Sequence, residues 1–362
     1  MSLDLPPGFT SRPATAADAK AIFELAAACE MADDGMVEVD EDDVRIAFDR
    51  HGFEAARDTL LVFDQDELVG WAQVYRKRAE ADVRPTHLSR GIGNELLRWI
   101  EARAGELADD RVGQSKTDAN ARARDLFLSN GYEPTWVSWV LRTPLDDAAA
   151  APEPPPGISI RHFRPEDAEP VHRVIDDAFS EWPGRDPEPF QVWADTTLAH
   201  PGMSPELSPL AFDGDELVGV VISIDLPTFD EGWIDQVATK ATHRNRGIAQ
   251  ALLRTAFAGF RELGRTVAGV STDSRTGALG LYERVGMKVV RQYTRYTKRL
   301  AGWRWPRDSN PRGGCPPTRS PGVPLRPLGQ ATADESSGGA WPNRGREGRS
   351  EGRWRRRQDS NL

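Results

Sequence analysis

Cysteine is scarce: Cys29 and Cys315 are the two in 362 residues, too few for a fold built on disulfides and without metal-ligand spacing. The six histidines add none; His162 and His172 stand ten apart, and His243 lies in a basic loop. No zinc motif follows, and a metal-free protein is expected. Long apolar runs are also missing. The longest, Leu217 to Ile224, falls well short of the roughly 20 residues that span a bilayer. Residues 1–10 lack the basic cluster and apolar core of an export signal. A soluble, cytoplasmic protein is expected. Finally, positive charge is short in the body of the chain. The net charge is -10, yet residues 301–362 hold 12 Arg against 6 acidic residues, so residues 1–300 carry -16. Such a surface disfavours nonspecific nucleic-acid binding and suits the attraction of a cationic amine.

What the chain does contain is a copy of itself. Phe63-Asp64-Gln65-Asp66-Glu67-Leu68-Val69-Gly70 returns as Phe212-Asp213-Gly214-Asp215-Glu216-Leu217-Val218-Gly219, 149 positions later. Arg12 and Asp18 answer to Arg161 and Asp167, Arg90-Gly91-Ile92 to Arg246-Gly247-Ile248, and Leu126-Phe127 to Leu281-Tyr282. A period this long marks duplicated domains, not a solenoid of short repeats. The predicted division is a first domain over 9–145, a linker over 146–157 rich in Ala and Pro, a second domain over 158–300 and a tail over 301–362.

Within each copy, the Asp-Xaa-Asp-Glu segment predicts a hairpin turn between apolar strands. A helix then follows each glycine pair, with Ile248, Leu252, Ala256, Phe257, Phe260 and Leu263 recurring at three- and four-residue steps, as do Ile92, Leu96, Leu97, Ile100, Ala104 and Leu107. A short strand, a second helix ending at Gly131 or Gly286, and a final strand complete the pattern. Strands and helices alternating around a mixed sheet predict an α/β (α+β) fold, present twice.

The segment that carries chemistry is a strand, Trp233 to Thr239, then a loop from Lys240, then Arg244-Asn245-Arg246-Gly247-Ile248-Ala249 opening a helix. The first turn of a helix offers unpaired N–H groups and a partial positive charge, which together hold phosphate. Gly247 and Ala249 leave room for a pyrophosphate to approach the backbone, and Arg244 and Arg246 add charge-assisted donors. A tight turn packed on the strand is the bland alternative. Neither Gly91-Ile92-Gly93 nor Gly247-Ile248-Ala249 supplies the third glycine and acidic residue of a dinucleotide fold.

The loop, with Ala278-Leu279-Gly280-Leu281-Tyr282 and Gly286-Met287 some 30 residues on, resembles the GNAT (Gcn5-related N-acetyltransferase) superfamily, over about 9–145 and 158–300. The resemblance implies acetyl-CoA as cosubstrate, its pyrophosphate on residues 244–249. It implies that the strand splays from its neighbour, with the pantetheine arm in the gap against Val237, Ala238 and Thr239. It also implies direct attack of an acceptor amine on the thioester, Tyr282 as the acid for the departing thiolate and Asp235 as a base acting through water. A tyrosine holds its proton at neutral pH and can give it to a thiolate. Asp235 also reads as a strand carboxylate that is solvated or paired with a nearby cation. A catalytically silent acyl-CoA-binding regulatory module remains the alternative to an enzyme.

The copies are unequal. Leu88 stands at the Arg244 position, Phe127 at Tyr282 and Ala79 at Asp235, and each change removes a polar function. One active and one degenerate copy is a layout similar to that of mycothiol synthases. The tail, with 8 Pro, 10 Gly and 12 Arg, is expected to be disordered. Its Asp308-Ser309-Asn310-Pro311, echoed by Asp359-Ser360-Asn361-Leu362, matches the antisense of a transfer-RNA T-arm, so read-through beyond Leu300 is expected.

Overall fold

The computed structural model describes residues 3–300, apart from 40, 49, 51, 108, 146–152, 183–184 and 186. The expected tail and residues 146–152 of the expected linker lie outside the described residues. The first repeat runs β1 (Phe9–Arg12), α1 (Ala19–Asp34), α2 (Glu41–Phe48), α3 (Ala55–Asp58), β2 (Thr59–Asp64), β3 (Glu67–Tyr75), β4 (Arg78–Val83), α4 (Ile92–Glu106), β5 (Arg111–Thr117), α5 (Ala121–Ser129) and β6 (Glu133–Pro144). The second runs β7 (Ile158–His162), α6 (Ala168–Phe179), α7 (Phe190–Trp193), β8 (Pro209–Asp213), β9 (Glu216–Leu226), β10 (Glu231–Thr239), α8 (Ile248–Glu262), β11 (Val267–Asp273), α9 (Leu279–Arg284) and β12 (Lys288–Arg299).

The repeated octapeptide forms the same hairpin twice. Each turn takes one residue into the left-handed region, Gln65 at φ 54° and Gly214 at φ 59°. Each hairpin is bulged at the same place, between Val62 and Phe63 and between Ala211 and Phe212. The closing glycines have a packing reason: a Cβ on Gly70 would lie 2.9 Å from Ile92 Cγ2, and one on Gly219 would lie 2.7 Å from Ile248 Cγ2. Only glycine lets α4 and α8 cross their strands this closely.

Apolar faces of both helix pairs bury against one sheet. On one face α4 packs with Leu60, Val62, Ala72 and Phe127, and α8 with Val218, Val221, Ile234 and Tyr282. On the other, α1 covers Leu61, Leu68 and Trp71, and α6 covers Val220, Ile222 and Ala238. At about 25 cal/mol per Å² of apolar surface, these layers supply the main drive to fold.

The two halves share a single 12-stranded sheet in the order β1-β2-β3-β4-β5-β12-β6-β11-β10-β9-β8-β7. The terminal strands are exchanged. β12 of the second repeat pairs with β5 of the first, Tyr293 opposite Thr117, while β6 of the first pairs with β11 of the second, Ser138 opposite Asp273. β6 and β12 also pair with each other, so no edge is left at the junction. Buried charges close the seam: Glu38 accepts from Arg142 and Arg291, and Arg142 Nε donates to Glu231 Oε1 at 3.3 Å.

Candidate active site

The strand expected at Trp233 to Thr239 is the second part of β10, and it parts from its neighbour. β10 and β11 pair in parallel from Glu231–Val267 to Ile234–Val270, and no pairing follows among the described residues. On its other side β10 stays paired with β9, with an irregularity between Ile234 and Gln236. Asp235 is the bulged residue, 8% exposed. A bulge turns a strand and ends regular pairing on one side. The backbone of 235–239 therefore faces a gap, as the expected splay requires.

At the far end of β10 the chain makes a 3-10 turn over Ala241–His243 and enters α8. Asn245 at φ 62° and Gly247 at φ 81° are left-handed, and Gly247 is the N-cap of a 15-residue helix. The free N–H groups of Ile248 and its successors thus open toward the end of the gap. Ile248 itself is buried and anchors the helix, Ala249 is half-buried, and Asn245 and Arg246 are exposed. Thr239 Oγ1 is buried with no hydrogen-bond partner among the described residues.

Both loop arginines hold carboxylates. Arg244 Nη1 and Nη2 donate to Glu181 at 2.7 and 2.9 Å, and its Nε donates to the Thr239 carbonyl at 3.2 Å. Arg244 holds the Glu181 carboxyl below its ordinary range through that hydrogen bond. An exposed pair of this kind contributes about 0.2–1 kcal/mol, little enough for a phosphate to displace. Arg246 Nη1 lies 3.2 Å from Asp213 Oδ2, and His243 Nε2 3.4 Å from the same oxygen.

Tyr282 lies on α9 and is 5% exposed. It packs in one cluster with Ile234, Ile248 and Val285, against which Val237 also rests. That cluster joins the strand, the loop helix and the tyrosine. Ala238 turns to the α6 layer instead. Burial pushes the Tyr282 phenol up, so it keeps its proton throughout the neutral range.

The first repeat has the loop without the rest. Ser89 at φ 61° and Gly91 at φ 88° reproduce the turn, and Arg90 and His87 meet Asp64 at 3.1 and 3.3 Å as Arg246 and His243 meet Asp213. Phe127 is buried between Tyr132 and Tyr296, ring centroids 5.5 and 5.1 Å away. β4 has no bulge. Register also corrects the alignment of Ala79 with Asp235. Ala79 pairs with Val74, whose repeat counterpart Ser223 pairs with Ile234. Ala79 thus answers to Ile234, and Asp235 is an added residue.

Two features escaped the sequence reading. Glu181 as the partner of Arg244 has no local signal, because 63 residues separate them. The strap of hairpin Asp, loop His and loop Arg did leave one: Asp64, His87 and Arg90 recur together as Asp213, His243 and Arg246. Among the described residues, no group of three or more His, Cys, Asp or Glu is placed to hold a metal. No helix there is long and apolar enough to cross a membrane.

The sequence profile described as "Acetyltransferase (GNAT) family" matches residues 19–132 and again 169–287. The chain belongs to that family, and it is a tandem member. It is an N-acetyltransferase of the GNAT type. A mycothiol acetyltransferase of Catenulispora acidiphila is 28% identical over 302 residues, 77% of this chain and 94% of that one. The crystal structure of a GCN5-related N-acetyltransferase from Sphaerobacter thermophilus is similar at TM-score 0.69 and 31% identity, covering 82% of this chain and 97% of that one. A tandem GNAT protein from the clavulanic acid biosynthesis pathway shares the fold at TM-score 0.63 and 14% identity, covering 81% and 98%.

Proposed function

We propose that the second repeat binds acyl-CoA, acetyl-CoA in the first instance, and passes the acyl group to the amine of a small-molecule acceptor by direct attack. The observation that carries this reading is the gap between β10 and β11, opened at Asp235 and ending on the N-terminus of α8. Residues 244–249 hold the pyrophosphate through backbone N–H groups, with Arg244 leaving Glu181 for a phosphate oxygen. Backbone groups of Val237, Ala238 and Thr239 bond the pantetheine arm, and the Thr239 hydroxyl, without a partner among the described residues, gains one there.

Tyr282 supplies the proton. The acceptor ammonium first passes a proton through water to Asp235; its neutral nitrogen then attacks the thioester carbonyl, the C–S bond breaks as the thiolate takes the Tyr282 proton, and the second proton lost by the nitrogen returns through solvent to the tyrosinate. Burial keeps the phenol protonated until the thiolate forms. The acidic body draws a cationic amine toward the site. The name of the Catenulispora relative, a mycothiol acetyltransferase, supports an acceptor of related chemistry.

The test is CoA release by the full chain with acetyl-CoA and a panel of amines that includes amino-sugar conjugates. Turnover with at least one is expected. Binding of CoA without release on any amine overturns the enzymatic reading in favour of a silent acyl-CoA-binding module.

A further inference from the structure

The first repeat has a strand gap of its own, and two charges occupy it. β4 and β5 share one parallel bridge among the described residues, Arg78 with Gly113. Beyond it, the Lys116 ammonium on β5 contacts the Asp82 carboxylate on β4, with side-chain exposures of 19% and 13%. Asp82 pairs with Trp71, which belongs to the α1 layer, and accepts from its indole at 3.3 Å. Lys116 precedes Thr117, whose hydroxyl donates to Asp34 at the end of α1. Strand alternation roots Lys116 on the opposite face, so its ammonium reaches Asp82 through the gap. In the second repeat the matching positions are Ala238 and Thr272, both uncharged.

Two further differences point the same way. Leu88 replaces Arg244, and Glu95 replaces Ala251 in the first turn of the loop helix. The Glu95 carboxylate is 6% exposed and accepts from Asp4 N at 3.0 Å and from Arg98. A buried anion at a helix N-terminus takes the field that a phosphate needs.

We propose that Asp82 and Lys116 form a strut that fills the first repeat's strand gap, so that the chain takes up one acyl-CoA, in its second repeat, and none in its first. The inference rests on the reading of the second repeat as an acyl-CoA site. Admitting a pantetheine arm to the first gap requires separating two half-buried opposite charges, a costly step.

Two experiments on the full chain test it. Calorimetric titration with CoA is expected to give a stoichiometry of one, with affinity lowered about tenfold or more in Arg244→Leu. Two CoA per chain overturns the strut and leaves the second-repeat site standing. No uptake overturns both, as does a single site indifferent to Arg244→Leu. The second experiment uses Cys29, which is 8% exposed and whose thiol donates to the Val83 carbonyl on β4 at 3.3 Å. In a Cys315→Ser background, a disulfide reagent should label Cys29 slowly. Lys116→Thr should raise the rate at least tenfold, and Lys116→Arg, which still reaches Asp82, should keep it slow. A Thr variant as slow as its parent, or an Arg variant as fast as Thr, overturns the strut.

Discussion

The two repeats agree in their hairpins and loops and differ along the strand after the hairpin and at the positions of Arg244 and Tyr282. Both make the bulged hairpin, both place a glycine where the loop helix crosses its strand, and both tie loop to hairpin through Asp, His and Arg. The second has the added residue Asp235 in its strand and carries Arg244 and Tyr282 where the first has Leu88 and Phe127; the first has the Asp82–Lys116 pair where the second has Ala238 and Thr272. The segment that repeats most faithfully is therefore architecture. If the proposed division of labour holds, the first repeat is a control within the same molecule, and a feature present in both does not by itself make an acyltransferase site.

The comparison breaks most sharply at Tyr282, the proposed acid. Tyr282→Phe gives the second repeat the first repeat's residue, keeps the ring in its cluster and removes the proton. Turnover should fall 10²-fold or more, the usual scale for a general acid, while CoA affinity stays within about twofold. Steady-state kinetics beside CoA titration checks this, and unchanged turnover removes Tyr282 from its assigned role.

The strand exchange predicts that the repeats unfold together. Arg103 on α4 makes a buried pair with Asp58 on α3, Nη2 to Oδ1 at 2.7 Å with side-chain exposures of 5% and 4%, and its Nη1 also meets Glu106. The α8 position matching Arg103 is Gly259, so this pair belongs to the first repeat alone. Asp58→Ala leaves the buried guanidinium with Glu106 as its carboxylate partner and two donors unmet, and should cost about 1–3 kcal/mol. Because β6 and β12 are exchanged, one thermal transition carrying both halves should move down. Two separate transitions would mean that the exchanged sheet does not couple them.

Much of this was legible beforehand, for reasons the elements make clear. The hairpins, the loop helices and the Arg244 to Ala249 segment follow from apolar periodicity and glycine placement, which are local. The strand exchange was not legible. β6 and β12 carry the same alternation and pair with either β5 or β11 equally well on pattern, so the choice is made by tertiary packing and by the Glu38, Arg142 and Arg291 seam. The bulge at Asp235 was equally hidden, since one added residue in a strand shows only in register. Charge pairs such as Glu181 with Arg244 and Asp82 with Lys116 join residues 63 and 34 positions apart, beyond any sequence period.

Arg244→Leu transplants the other difference. On the proposed reading it removes a charge-assisted contact to phosphate worth about 1.5–3 kcal/mol, so the KM for acetyl-CoA should rise about tenfold or more. Turnover at saturation should change little, because the contact is made alike in ground and transition states. A matching fall in kcat would mean that Arg244 acts on the reacting atoms.

The smallest expected effect tests a feature the repeats share. Arg12 and Asp18 in the first repeat, and Arg161 and Asp167 in the second, make the same pair, with closest contacts of 2.6 Å in each. The hydrogen bond from Arg12 lowers the Asp18 carboxyl to about 2, and that from Arg161 lowers Asp167 in the same way. A folded-state pKa below the unfolded value adds stability that is full above the unfolded pKa of about 4 and is lost as pH falls toward 2. Arg12 is 48% exposed, so solvent screening holds the contribution to at most about 1 kcal/mol. Asp18→Asn and Asp167→Asn should therefore each flatten the acid limb of the stability curve between about pH 4 and 2. At pH 7 each should lower stability by no more than that amount. If only one variant does so, the shared pair has been put to different use in the two repeats, and the line between common architecture and divergent chemistry must be redrawn at the start of α1 and α6.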